Sequence, residues 1–361
     1  MNKETKHICF FNSHKKWGGG EKWHMETVLH LHSKNHPVIV CGSSKGEFLK
    51  RIPQSIPRMK ITFSNVSFLN PFNYIRCYRF FKKQHIKTII LCLPIDVKIA
   101  GVAAKLAGIK NIVYRRGCAI PIKNTVSDRF LFSHIITHII ANSHATKESI
   151  LAHNPDLFPK KKITVLYNGI HIHDVPDKTG DLNKKTIIIG TAGRLEPQKN
   201  MLAIISIAKI IRLHTSNFII RIAGDGSQYS QLKKEITINN LEKNIQLLGF
   251  QKDMNRFYQS LDMFILTSHG EGFGYVLAEA MMHKIPIIAY DNGSSKELIK
   301  ENSTGFLIPE HAIEQFAQKI EKLIKNPTLR IKMGENARTY VTNNFDAEIT
   351  YAQTETFIVN L

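Results

Sequence analysis

Short apolar runs of strand length recur along this chain, separated by helix-forming stretches, and that alternation restricts its fold more than any other feature. In the amino half the runs are HICFFNS, PVIVCGS, KTIILCL, NIVYRR and THIIANS, with METVLHLHSK, VKIAGVAAKLAG and ATKESILAH as helices between or after them. The glycine-rich stretch HKKWGGGEKW reads as the loop between the first strand and its helix. Strands alternating with helices at this spacing predict parallel βαβ units with right-handed crossovers, hence a doubly wound α/β sheet. The polar stretch HIHDVPDKTGDLNKKT interrupts the series and marks residues 170–186 as a linker. A second series then runs TIIIGTAG, MLAIISIAKIIR, FIIRIAG, a helix from Gln228, NIQLLGF, DMFILTS, YVLAEAMMHK, KIPIIAYD and TGFLIP, and closes with helices from His311 to about Asn343. The expectation is two Rossmann-like domains, residues 1–169 and 187–343, facing each other across a deep cleft. Residues 344–361 are expected to pack back toward the first domain.

A chain of 361 residues with 43% hydrophobic content is long enough for two cores. Its first residues, MNKETKH, lack the apolar stretch of a signal peptide, and no apolar run approaches the roughly 18 residues of a membrane span, so a cytoplasmic protein is expected. Five cysteines (Cys9, Cys41, Cys77, Cys92, Cys118) show neither C-x-x-C nor zinc spacing, and the histidines form no H-E-x-x-H; no metal and no cofactor are expected. The charge is lopsided: residues 1–170 hold 27 Lys+Arg and 8 Asp+Glu, a balance of +19, against 22 and 21 in residues 171–361. A field of one sign confined to one half implies that this half faces something anionic, whether a membrane surface, a nucleic acid or a phosphorylated substrate.

Two stretches of the second half carry chemistry. GTAGRLEPQKN, residues 190–200, leads from a strand through a glycine turn to Arg194 and Lys199 ahead of a helix. Two cations beside free helix N–H groups suit a diphosphate, although the same residues also read as solvated loop cations. EGFGYVLAE, residues 271–279, places Glu271 in the loop after a strand and Glu279 about one turn into the next helix, with Gly272, Phe273 and Gly274 between. Carboxylates accept hydrogen bonds from vicinal hydroxyls, and loop amides freed by glycine approach oxygen atoms closely. The bland alternatives are a first-turn acid at a helix dipole and a solvated loop acid. IAGDG is a further glycine-rich strand end, a weak signal by itself.

With EGFGYVLAEAMMHKIPIIAYDNGSSKELI, the motifs WGGGEKW, IIANSHATKESIL, ITVLYNGI, GTAGRLEPQKN, IAGDG, IQLLGF and MGENARTYV stand in one order that resembles the retaining glycosyltransferases of family 4, also called glycosyl transferases group 1. The resemblance implies the GT-B fold and metal-independent transfer of a sugar from a nucleotide donor such as a UDP- or GDP-sugar, with retention at the anomeric carbon. It implies that Glu271 holds the donor sugar, Glu279 the ribose, and Arg194 and Lys199 the diphosphate. Gly18, Gly19 and Gly20 would close over the donor, and the base would lie near Gly249 and Phe250, with Gly272, Phe273, Gly274 and Tyr275 around the sugar and phosphates. The acceptor implied is a saccharide or lipid-linked saccharide of lipopolysaccharide, O-antigen or capsule assembly, met at the inner face of the cytoplasmic membrane.

The pattern has departures. Many members carry a histidine where this chain reads YRRGCAI, so Arg115 or Arg116 is the candidate for an acceptor or phosphate contact there. Lys284 and Ser294 stand where glycines are usual. Two rival functions remain on sequence grounds: a glycoside hydrolase using the Glu271/Glu279 pair, and a basic nucleic-acid-binding protein, which lacks any helix-turn-helix, zinc-finger or RNP-like motif. In NPFNYIRCYRFFKKQHIK, residues 70–87, aromatics alternate with Arg76, Arg79, Lys82 and Lys83, which reads either as an ordinary domain helix or as a contact with an anionic membrane.

Overall fold

The computed structural model describes residues 6–176 and 184–361. Contacts divide the chain into two units, one running up to Gly169 and including Glu348–Leu361, the other Ile170–Ala347. In the amino-terminal unit the strands are β1 (His7–Asn12), β2 (Val38–Ser43), β3 (Arg58–Ile61), β4 (Ile86–Leu91), β5 (Asn111–Arg116), β6 (His138–Ala141) and β7 (Ile163–Val165). They form one parallel sheet in the order β3-β2-β1-β4-β5-β6-β7. The carboxyl-terminal unit carries β8 (Ile187–Ala192), β9 (Phe218–Ala223), β10 (Ile245–Gly249), β11 (Met263–Leu266), β12 (Ile287–Tyr290) and β13 (Gly305–Ile308) in the parallel order β10-β9-β8-β11-β12-β13. Strands such as β2, β5 and β8 are buried along their whole length, as parallel strands covered by helices on both faces must be. Both units are Rossmann-like, and the fold is GT-B.

In each sheet the chain leaves its first strand in one direction and later crosses to the other side. The strand order therefore switches between β1 and β4 and between β8 and β11. Ligands of open α/β sheets bind beyond the strand carboxyl ends at such a switch.

The first helix differs from its sequence reading. It spans Gly19–Ser33, so Gly19 and Gly20 are helical residues, not loop. Gly18 is the extended cap (φ −165°, ψ −172°). Glycine weakens a helix by roughly 1 kcal/mol relative to alanine, but packing overrides that preference here: a Cβ on Gly20 would lie 3.3 Å from Cys92 Sγ.

Of the linker at residues 170–186, the part at 177–183 lies outside the described residues. Ile170 forms a parallel bridge with Asp346. Beyond the helices read from sequence, which end at about Asn343, the chain forms one more helix, Ala347–Val359, which packs on the amino-terminal unit. Glu355 there accepts from His30 Nε2 and His36 Nε2 at 2.8 and 2.6 Å, and Tyr351 donates to Glu26.

Candidate active site

The turn after β8 and the turn after β11 meet at the switch of the carboxyl-terminal sheet. Lys199 ends a short 3-10 turn, Pro197–Lys199, and its Nζ lies 2.5 Å from Glu271 Oε1. Both side chains are largely buried, 15% and 11% exposed, so the pair is shielded from salt and bulk water. Three further bonds stitch the two turns together. Thr267 Oγ1 donates to Asn200 O at 3.0 Å, Gln198 Nε2 to Gly270 O at 3.0 Å, and His269 N to Gln198 O at 2.9 Å. Arg194, in the same turn after β8 as Lys199, is exposed, with no side-chain hydrogen bond among the described residues.

Glycine is required where these turns crowd. A Cβ on Gly293 would stand 2.5 Å from Glu271 O, and one on Gly224 would stand 1.8 Å from Gly193 O. The turn after β12 thus reaches Glu271 from a second side, and Ser294 N donates to Glu271 O at 3.1 Å.

The glutamate helix spans Tyr275–Met282 with Gly274 as its left-handed cap (φ 82°, ψ 57°). Glu279 accepts from the phenol of Tyr258, OH to Oε2 2.9 Å. Tyr258 is fully buried, and burial followed by the charge of Glu279 raises its hydroxyl well above the usual value, so it stays a donor. Phe273 is 2% exposed and its ring packs on Tyr275 and Phe345, so the side chain belongs to the core rather than to the ligand-facing surface. Gly249 (φ 65°) has open space where a side chain would be, and Phe250 after it is 75% exposed. Gly272, Phe273, Gly274 and Tyr275 lie between the two acids. The residues singled out in this half therefore share one sheet edge.

In the amino-terminal unit, Gly18–Gly20 follow β1 and Arg115 and Arg116 end β5. Both arginines are buried, 3% and 8% exposed. Arg116 gives its guanidinium to Tyr114 OH (3.3 Å) and Ile120 O (2.5 Å). Among the described residues Arg115 makes a single side-chain hydrogen bond, Nη2 to Asn168 Oδ1 at 2.8 Å, stacks on Trp23 at 5.0 Å, and leaves Nε without a partner. Its Nη1 lies 3.8 Å from where a Gly20 Cβ would be. Arg115 is thus the arginine set beside the helix N-terminus. Sequence alone could not separate it from Arg116.

At the same switch Asp96 is fully buried and accepts from Ser13 N (3.3 Å) and Leu93 N (3.0 Å). Burial pushes its carboxyl up to about 7. Among the described residues no group of three His, Cys, Asp or Glu side chains is placed to hold a metal ion.

Comparison with known proteins identifies the family. Residues 17–174 match the family described as Glycosyltransferase Family 4 and residues 176–340 match Glycosyl transferases group 1. The chain belongs to the family 4, group 1 glycosyltransferases. Its relatives include the capsular polysaccharide biosynthesis glycosyltransferase CapM of Staphylococcus aureus, 29% identical over 61% of this chain and 60% of CapM. Another is the UDP-Gal:alpha-D-GlcNAc-diphosphoundecaprenol alpha-1,3-galactosyltransferase of Escherichia coli, 27% identical over 75% of each. The match to the poly(ribitol-phosphate) alpha-N-acetylglucosaminyltransferase of S. aureus spans 42% of that protein's length. Among solved structures, Anabaena HepE in complex with UDP and glucose has a TM-score of 0.84 at 21% identity, over 99% of this chain and 100% of its own.

In this family 4 chain the two departures near the glutamate helix have distinct consequences. Lys284 has φ 57°, so the position keeps a glycine-like backbone under a lysine. It closes the helix, with Lys284 N donating to Met281 O at 3.0 Å and Ile285 N to Ala280 O at 3.3 Å. Ser294 is fully buried beside Gly293, which supplies the close approach by itself.

Proposed function

We propose that this chain moves a sugar from a nucleotide-sugar donor to a saccharide acceptor during assembly of a cell-surface polysaccharide. The observation that carries the reading is the Lys199–Glu271 pair at 2.5 Å across the switch of the carboxyl-terminal sheet, with exposed Arg194 in the same turn as Lys199. Without a donor the two charges satisfy each other. When a donor enters, Lys199 turns to the diphosphate and Glu271 is released to accept hydrogen bonds from the sugar hydroxyls. Each group exchanges one partner for another, so neither charge is left buried and alone.

As the glycosidic bond breaks, the leaving diphosphate gains negative charge, which Lys199 and Arg194 stabilise in place. Glu279, held by Tyr258, takes the ribose hydroxyls. Attack from the leaving-group side, with the departing phosphate accepting the acceptor's proton, retains the anomeric configuration and requires neither an enzyme nucleophile nor a metal. Glycoside hydrolysis would use the acids but not Lys199 and Arg194. Names of relatives support a UDP-sugar donor and a lipid-linked acceptor: one acts on a diphosphoundecaprenol-linked sugar, and HepE binds UDP and glucose. We place this chain's work on such an acceptor at the inner face of the cytoplasmic membrane, with Arg115 and the helix start at Gly18–Gly20 receiving phosphate in the amino-terminal unit.

A thermal-shift series with UDP-, GDP- and ADP-sugars tests the reading. A cognate donor at 100 times its Kd stabilises the fold by about 2.7 kcal/mol, and transfer of labelled sugar to a polyprenyl-linked acceptor should follow. A folded protein that responds to none of the three would refute it.

A further inference from the structure

The segment between β3 and the helix Pro71–Lys83 divides its side chains in a way that sequence did not reveal. Phe81 and Cys77 are core, and Tyr74 and Phe80 pack against that core. Val66, Leu69, Phe72 and Ile75, spaced by three, are 64%, 71%, 74% and 44% exposed, with Phe68 and Tyr78 each at 37%. Hydrogen bonds tie the segment to the helix. Tyr74 OH donates to Phe68 O at 2.8 Å, Asn73 Nδ2 to Ser67 O at 2.9 Å, and Asn70 caps the helix by accepting from Phe72 N. Single exposed apolar residues are ordinary, but a contiguous bulky stripe held by hydrogen bonds marks a contact surface.

Charge identifies the contact. Residues 48–95 contain no Asp or Glu, and Arg76 and Arg79 follow the stripe on the exposed side of the helix. A nucleic acid would use the cations but has little use for Val66, Leu69 and Phe72. A lipid surface uses both, hydrocarbon for the tip and anionic headgroups for the arginines.

Topology places the tip. In a parallel sheet every strand carboxyl end lies on one edge, so the turn leaving β3 shares its edge with Gly18–Gly20 after β1 and Asp96 after β4. Contacts connect them. Lys98 Nζ stands 5.3 Å over the Phe68 ring, two residues beyond Asp96, whose carboxylate holds Ser13 N. We propose that the Val66–Ile75 stripe inserts tip-first into an anionic membrane, setting the ligand-binding edge of the amino-terminal unit at the lipid surface, where the sugar of a lipid-linked acceptor is presented.

The acceptor part rests on the transferase reading; the membrane contact stands without it. Tip-first insertion ranks the residues. Lys82 lies about 15 Å along the helix from Phe72 at 1.5 Å per residue, beyond a Debye length of about 8 Å at physiological salt. Lys82 and Lys83 therefore contribute little.

The test is co-sedimentation with vesicles of roughly one-third phosphatidylglycerol in phosphatidylcholine, at about 0.1 M and about 0.5 M salt, with UDP affinity measured alongside. Wild-type protein should bind at low salt and keep part of its binding at high salt. Leu69→Ser/Phe72→Ser should weaken binding about tenfold or more at both, while Lys82→Ser/Lys83→Ser stays within about twofold; all three should bind UDP alike. Undiminished sedimentation of Leu69→Ser/Phe72→Ser, or a larger loss from the lysine pair, overturns tip-first insertion, as does tighter binding to duplex DNA than to vesicles. Vesicle binding without any response to UDP, GDP or ADP would instead overturn the transferase reading and leave the membrane contact in place.

Discussion

The two sheet switches of this protein share a topology and differ in how they treat charge. At β8/β11, Lys199 and Glu271 hold each other and Arg194 faces solvent. At β1/β4 the acids serve the fold. Asp96 is spent on two backbone amides, and Glu21 accepts from Asn12 Nδ2 at 3.2 Å and pairs with His14 Nδ1 at 3.1 Å. Burial alone would push the Glu21 carboxyl up, but the hydrogen bond and charge of His14 bring it below its usual value. Arg115 has no carboxylate against it in the described residues. Both switches bury their acids, but at β8/β11 the carboxylate faces another side chain that can turn away, whereas at β1/β4 Asp96 faces backbone amides that cannot leave.

The comparison breaks most visibly at Glu271. Glu271→Gln should lower transfer by about a thousandfold or more while UDP affinity stays within severalfold, because the amide loses the sugar but not the base and phosphates. Lys199→Ala should cost about 10² to 10³ in turnover and weaken UDP binding as well. Steady-state kinetics with calorimetric UDP titration reads both. Retention of near-wild-type transfer by Glu271→Gln would make the ion pair structural, like the acids of the other switch.

Asp96 is the corresponding test in the amino-terminal unit. Its carboxyl is raised from 3.8 to about 7 in the fold. Below pH 4 both states carry the proton; between there and about 7 only the folded state does, so stability falls as pH rises and levels off above that window. Asp96→Asn cannot ionise. Its stability relative to wild type should therefore climb with pH by up to about 1.4 kcal/mol per unit across that window, as read by denaturant unfolding at several pH values. A difference that does not vary with pH would show that Asp96 is charged in the fold, like Glu21.

The smallest effect concerns the frame of the glutamate helix. A lysine at φ 57° costs roughly 1 kcal/mol relative to glycine, so Lys284→Gly should stabilise the carboxyl-terminal unit by about that amount with transfer unchanged. Destabilisation would mean that the lysine side chain contributes more than its backbone costs.

What could be read in advance followed from local pattern. Apolar runs alternating with helix formers specify parallel βα units because a strand buried on both faces needs a continuous apolar sequence. Glycines at 224 and 249 mark strand ends, and those at 274 and 293 the turns beyond them, because few other residues accept those dihedrals or approaches. Glu271 and Glu279 were visible for the same reason, as acids placed around a glycine turn between strand and helix. Contacts between distant stretches were not visible, because they depend on which strands become neighbours. Lys199 meets Glu271, 72 residues away, only because β8 and β11 pair. Tyr258 carries no motif; it reaches Glu279 because it is buried behind the glutamate helix. The helical start at Gly19, the separation of Arg115 from Arg116, and the outward turn of Phe72 while Phe81 faces the core were likewise decided by packing. Sequence period sets which face a side chain takes along its own element; only the assembled sheet decides what stands opposite that face.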